Sequence, residues 1–231
     1  MLFIVLTPTG PYFRTPAALS LLAVGESVRS WPGGTGGHKL GANYAPGFLP
    51  QQIAAQQGYQ QCLWLIGENV TEAGAMNFFV VLKRDDGGES QFHGESIGPF
   101  NVISGLDLVT PPLDGTILPG LTRASCLALA AAHPSKTTLS NLPNIRLHTH
   151  ERPFTMADLA TWSAQGKLLE AFGAGTAVIV APVGRIGYQG KDLVLPQHKG
   201  AYGPVSRALW ERIVDIQQGK VEWEGWSVLC E

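Results

Sequence analysis

Apolar residues fall in short runs broken by glycine and proline, so the chain predicts many brief elements rather than a few long ones. Residues Phe48 to Gln57 predict a helix, with Leu49 and Ile53 four apart on one face and Gly58 following as the residue that ends it. Cys62–Ile66 and Asn77–Lys83 have the aromatic and β-branched content of strands. Asp85-Asp86-Gly87-Gly88 reads as a hairpin-type turn, and Glu89–Leu106 has no period and reads as a long loop. Gly120–Ala132 is an Ala- and Leu-rich helix, whereas Pro134–Glu151 is polar and irregular. Thr155 with Asp158 three residues on predicts a capped helix reaching about Gln165. Thr176–Val183 is an apolar strand of the fully buried kind, and Tyr188 to Asp192 turns a hairpin through Gly190. Pro204–Gln218 is the last helix, with Val205, Leu209, Ile213 and Ile216 on one stripe, and Glu222–Leu229 is expected as a closing strand.

The opening run Met1–Leu6 reads as a buried strand ended by Pro8, Gly10 and Pro11. It lacks the basic segment and cleavage site of a signal peptide. A chain that starts in mid-strand has the look of a cut one, and no transit peptide is visible. The pattern is mixed α/β, without the strict rhythm of a doubly wound sheet. No G-x-G-x-x-G opens a helix after a strand and no Walker A sequence occurs, so nucleotide folds are unsupported.

Composition narrows the function classes. The 231 residues are enough for a substantial core, but only 15% are charged, so much of the surface is expected to be uncharged or covered. Sixteen basic against eighteen acidic residues give a net charge of −2, which offers no case for nucleic acid or an anionic membrane as partner. No apolar run approaches the ~18 residues of a spanning helix. Cys62, Cys126 and Cys230 form neither a disulfide framework nor a zinc pattern, so a reducing compartment is expected. His148-Thr-His150 lies in a polar loop with no acidic cluster beyond Glu151, and no metal site is expected.

Four segments carry candidate chemistry. Lys39 follows the loop Gly33-Gly-Thr-Gly-Gly and sits among small and apolar residues, a candidate buried amine of lowered pKa and raised nucleophilicity towards aldehydes. Glu72, wedged between two apolar strands, needs a positive partner if it is buried. The stretch Asp114 to Arg123 leads into a helix whose first N–H groups, with the Thr122 hydroxyl, are able to hold an anion such as phosphate. Phe172-Gly-Ala-Gly-Thr176-Ala177 is a second small-residue turn with N–H and hydroxyl donors. Taken singly, each has a plainer reading: a solvated loop lysine, a turn carboxylate in water, helix capping, a tight turn. Together they are the parts of a pyridoxal phosphate site: an amine, a carboxylate for a pyridinium nitrogen and two anion cradles.

These segments, with Gly10-Pro-Tyr12-Phe, Gln56 to Leu65, Thr110 to Arg123, Glu170 to Ala177 and Gly225-Trp-Ser-Val in order along the chain, resemble the branched-chain amino acid aminotransferases of the fold-type IV class. The resemblance implies mixed sheets in a barrel-like core flanked by helices, and pyridoxal 5'-phosphate as cofactor. Lys39 matches the family's Schiff-base lysine and proton shuttle, and Tyr44 the tyrosine that bonds the cofactor's phenolic oxygen. Glu72 matches the carboxylate facing the pyridine nitrogen. Leu121, Thr122 and Thr176 match phosphate contacts, with Arg29 where the family often has a basic residue near the phosphate. Tyr12 matches a pocket aromatic, Ala177 a backbone near the substrate carboxylate, and Ala75 stands where a hydroxyl residue is common.

The implied reaction is a ping-pong transfer of the amino group of leucine, isoleucine or valine to 2-oxoglutarate, by a homodimer, in the cytoplasm or mitochondrial matrix. Residues 1–231 would be the large cofactor-binding domain alone, without the family's small N-terminal domain. A truncated or non-catalytic paralogue that binds the cofactor or dimerises is the competing reading. A third keeps the fold with aminodeoxychorismate lyase or D-amino acid aminotransferase chemistry.

Overall fold

A computed structural model describes residues 3–8, 17–84, 105–133, 138–142 and 145–228. The strands are β1 (Leu19–Val24), β2 (Gln61–Ile66), β3 (Asn69–Ala73), β4 (Met76–Lys83), β5 (Leu106–Thr110), β6 (Leu147–Glu151), β7 (Leu168–Gly175), β8 (Ile179–Tyr188) and β9 (Lys191–Val194). The helices are α1 (Phe48–Gln56), α2 (Leu121–Ala132), α3 (Met156–Ala164) and α4 (Pro204–Gln217).

All nine of these strands hydrogen-bond into one sheet, in the order β3-β2-β1-β8-β7-β4-β5-β6, with β9 on β8. A further pairing of β3 with β4 joins the two ends of the first six strands into a closed ring. Closure removes the exposed edges that an open sheet would leave there. The centre of the ring is parallel, β1 lying parallel to both β2 and β8, and the rest is antiparallel except for the β5–β6 extension. The expected mixed α/β, barrel-like core flanked by helices is therefore present.

Strand β4 explains how the ring opens a site. Along one edge it pairs with β7 from Asn77 to Leu82. Along the other, Met76 and Asn77 pair with β3, while Val80–Lys83 pair with β5. Between those two partners the edge forks. The Phe78 carbonyl left in the gap accepts a hydrogen bond from the buried Thr110 hydroxyl at 2.7 Å. Alternation across β4 divides the apolar residues between two cores. Phe78, Val80 and Leu82 join the core shared with Leu21, Leu63 and α3, while Phe79 and Val81 pack with Phe172 against α2 and α4.

Several expectations hold. The capping box at Thr155 and Asp158 forms in full, the predicted stripe of α4 is buried, and the hairpin at Gly190 joins β8 to β9. Others need correction. Phe3–Leu6 is not a buried strand: its side chains are 75–89% exposed and no strand pairs with it among the described residues. Apolar content alone supplies no hydrogen-bonding partner. On α1 the buried residues are Pro50 and Ala54, not Leu49 and Ile53, because small groups let the helix approach Cys62 and Trp64 on β2 closely. Pro134–Glu151 is not all irregular, since polar β6 ends it as an edge strand that needs only one apolar face. The expected strand over Thr176–Val183 begins at Ile179, with Thr176 and Ala177 in the turn before it. Residues 222–228 form a turn rather than a strand, with Gly225 at φ 71°. The turn at 85–88 and most of the 89–106 loop lie outside the described residues.

Candidate active site

Lys39 stands between the glycine-rich loop and two short 3-10 turns at Gly41–Asn43 and Ala45–Gly47, with Leu40 after it on extended backbone. The loop is pinned from inside. The buried Asn43 amide donates to the carbonyls of Thr35 at 2.8 Å and His38 at 2.7 Å, while its oxygen accepts from the Thr35 hydroxyl at 2.9 Å. Gly36 packs directly on Thr116, where any Cβ would lie 2.4 Å from the Thr116 carbonyl oxygen. The Thr116 carbonyl also accepts from Arg29 and Ser30, which ties the Lys39 loop to the β5–α2 connection. Lys39 is exposed, not the buried amine expected from its flanks, because its small neighbours bring no bulk to cover it. Its ammonium donates to the Tyr44 hydroxyl at 3.1 Å, so two residues five apart in sequence form one polar pair.

Glu72 sits on β3 opposite Asn77 of β4, in the first two pairs before the fork. It is buried, and the positive partner that burial demanded is Arg29: the ion pair is 2.7 Å long with both side chains 3–4% exposed. Burial outweighs that attraction and pushes the Glu72 carboxyl up to about 7, although Arg29, the Leu118 backbone, Lys39 and Arg123 all pull it down. Oε1 accepts from the Asn77 amide at 3.2 Å and Oε2 lies 2.7 Å from Nη1 of Arg29, whose Nε has no hydrogen-bond partner among the described residues. Arg29 thus bonds at the carboxylate end of the site, with further contacts to the carbonyls of Gly36 and Thr116. Its guanidinium also lies 5.7 Å from the Tyr44 ring centroid, linking Glu72 to the Lys39–Tyr44 pair.

Helix α2 starts beside this group. Gly120 is its N-cap, no side chain caps the first turn and no acidic residue lies in it. The free N–H groups and the positive end of the helix dipole suit an anion there. Leu121 is exposed and Thr122 is buried. The β7–β8 turn carries Thr176 and Ala177, both exposed, and Ile179 follows at φ 62°. That angle is costly for a β-branched residue, so the turn is held under strain. Gly175 abuts Met76 and the Ala75 carbonyl, which places this turn beside the β3–β4 turn that exposes Ala75. Tyr12 lies outside the described residues.

The structure therefore gathers Arg29, Lys39, Tyr44 and Glu72 into one linked group beside the α2 N-terminus, with Thr176, Ala177 and Ala75 on neighbouring turns. Asn77, Asn43 and Thr116 also contribute, and the sequence pattern does not single them out. Only Asn77 carries a signal, being polar at the start of an otherwise apolar strand. His148 and His150 are on β6 rather than in a loop, and His150 hydrogen-bonds Asp107 at 2.9 Å.

Comparison with known proteins places the chain in a family. Residues 1–186 match the family model described as amino-transferase class IV. The chain is 42% identical over 232 residues to a mitochondrial branched-chain-amino-acid aminotransferase of Saccharomyces cerevisiae, covering 98% of this chain and 53% of the relative. It is 42% identical over 233 residues to the cytosolic one of the same yeast, covering 98% of this chain and 55% of that one. The chain thus spans about half the length of the curated relatives it matches. Among solved structures, the branched-chain amino acid aminotransferase of Thermobaculum terrenum in its PLP form shares the fold, with a TM-score of 0.60 at 23% identity over 88% of this chain and 52% of that one. With the family model covering most of its length, this chain belongs to the class IV amino-transferases.

Proposed function

We propose that the chain is the cofactor-binding part of a pyridoxal phosphate-dependent transaminase acting on branched-chain amino acids and 2-oxo acids. The observation that carries this reading is Glu72, a buried carboxylate ion-paired to Arg29 and linked through Arg29 and Tyr44 to the Lys39 amine. A buried carboxylate and an uncapped helix start suit a protonated ring nitrogen and a phosphate. The yeast relatives' names support the substrate class.

When bound, the cofactor supplies an aldehyde for the amino group and a ring that draws electrons from the substrate α-carbon. The residues of this chain do the rest. Lys39 would hold the cofactor through its amine and move the proton at the substrate α-carbon. Tyr44 sits against Lys39 and orients it. Glu72 would hold the proton of the ring nitrogen, with Arg29 and Asn77 keeping the carboxylate in place. The N–H groups of Leu121 and Thr122, with the hydroxyls of Thr122 and Thr176, bind the phosphate. Ala177 and Ala75 border the substrate, and Tyr12 is assigned to its apolar wall. The two half-reactions follow a ping-pong order, and the working unit is a homodimer. The relatives include mitochondrial and cytosolic forms, and the cytoplasm or the mitochondrial matrix is proposed for this chain.

The test is chemical. Borohydride reduction after loading with pyridoxal phosphate should place a pyridoxyl group on Lys39 in the peptide map. L-Leucine added before reduction should reduce that label, and D-alanine should not. Absence of the label on Lys39 would overturn the reading.

A further inference from the structure

Asn77 is 4% exposed and occupies the one point where three parts of the site meet. On one edge of β4 it faces Glu72, and on the other it faces Ala174, two residues before Thr176. Its amide nitrogen donates twice, to Glu72 Oε1 at 3.2 Å and to the Leu118 carbonyl at 2.9 Å. Its amide oxygen presses against Gly120, where a Cβ would come within 2.2 Å of it. Both donor hydrogens are thereby used on the acid and on the segment that enters α2, and the acceptor face fixes how closely that helix start approaches. Backbone pairing alone would not couple these elements, because β4 loses β3 beyond Asn77.

We infer that Asn77 is a positioning residue that sets Glu72 and the α2 N-terminus in register with each other, so that ring nitrogen and phosphate are engaged together. The inference rests on the cofactor reading above, but its first readout does not need the cofactor. A donor to the ionised form of a buried acid lowers its pKa, so loss of the amide raises it. Removing the bridge also frees the helix start, so cofactor affinity falls even though Asn77 touches neither the aldehyde nor the reacting carbon.

The experiment uses the whole chain with Asn77→Ala and the near-isosteric Asn77→Leu. Glutamate side-chain carboxyls are labelled with carbon-13 and titrated by NMR without cofactor, Glu72→Gln assigning the resonance. Pyridoxal phosphate affinity is measured by absorbance, and thermal melting confirms that each variant is folded. The expected result in Asn77→Ala is a Glu72 midpoint higher by about one pH unit. In Asn77→Leu, which also lacks the donor, the midpoint should rise by a similar amount. Both variants should bind pyridoxal phosphate at least tenfold more weakly, with cooperative melting retained. Folded variants with an unchanged Glu72 midpoint, or with unchanged affinity for pyridoxal phosphate, would overturn the inference. If the unmodified chain binds no pyridoxal phosphate, the cofactor reading falls, and the carboxyl titration still decides whether Asn77 positions Glu72. If Asn77→Ala fails to fold, Asn77→Leu, which keeps the volume and carries no donor, becomes the deciding variant.

Discussion

Glu72 and Arg29 form a buried ion pair in which desolvation wins, and that has a measurable sign. With its carboxyl at about 7 in the folded chain and near the ordinary range when unfolded, Glu72 takes up a proton on folding between about pH 4.5 and 7. Its contribution to stability is therefore fully present below the unfolded pKa and is lost as pH rises through the folded one. Glu72→Gln removes this titration. Melting of the cofactor-free variant should gain on the unmodified chain by on the order of 2 kcal/mol between pH 4.5 and 8. A gap that stays constant with pH would show that the carboxyl is not perturbed. The same variant should lose most transaminase turnover, because an amide cannot hold a proton on the ring nitrogen; unchanged turnover would remove Glu72 from the mechanism. At this scale the sequence is informative about identities and silent about partners. Lys39, Tyr44 and Glu72 are recognisable within contiguous motifs. The pairing of Arg29 with Glu72 is not, since residues far apart in the chain meet only when the segment after β1 folds against β3. The exposure of Lys39 is equally illegible, because small flanking residues describe a loop's flexibility and not what comes to cover it.

Elements are legible where their signals are local. The capping box of α3 and the apolar stripe of α4 are readable because each uses residues within a few turns of one another. Strands β5 and β6 are not, because polar edge strands such as Leu147–Glu151 depend on partners elsewhere. Helix α4 also hides a non-local cap. The buried Glu170 of β7 accepts from the N–H groups of Val205 at 2.8 Å and Ser206 at 2.9 Å, while α4 has no side-chain cap at its own Gly203. Gly203 has no room for a side chain, since a Cβ there would lie 2.1 Å from the Glu170 carboxyl carbon. Glu170→Ala should cost about 2 kcal/mol in urea unfolding by leaving two buried donors unmet, with pyridoxyl labelling of Lys39 retained. A loss below ~0.5 kcal/mol would mean that the cap contributes little. The opposite pattern is expected for Gly36→Ala. Its clash with Thr116 displaces the loop that carries Lys39, so labelling at Lys39 should fall severalfold while helix content by circular dichroism stays unchanged. Full labelling would show that the loop is free to shift.

At the scale of the molecule, the closed ring buries its core well but leaves apolar side chains facing solvent. Phe48 and Leu49 of α1 are 77% and 65% exposed, Leu40 precedes them, and Leu49 and Ile53 border a groove with Leu22 and Val24. These residues follow Lys39 directly in the chain, so whatever covers them also approaches the site. Low charge, 15% of residues, makes the exposure harder to solvate and favours a covered surface. In the homodimer proposed above, a second copy of the chain would supply that cover. That leads to a paired expectation for sedimentation at about 10 µM, in the concentration range where specific dimers of ordinary interface size persist. The unmodified chain should sediment as a dimer, and the double variant Phe48→Glu, Leu49→Glu as a monomer with its melting curve intact, since neither side chain packs in the core. Charge placed on an already solvated surface would leave the association state unchanged. A monomeric unmodified chain, or a double variant that still dimerises, would move the dimer contact away from α1 and leave this face to another partner.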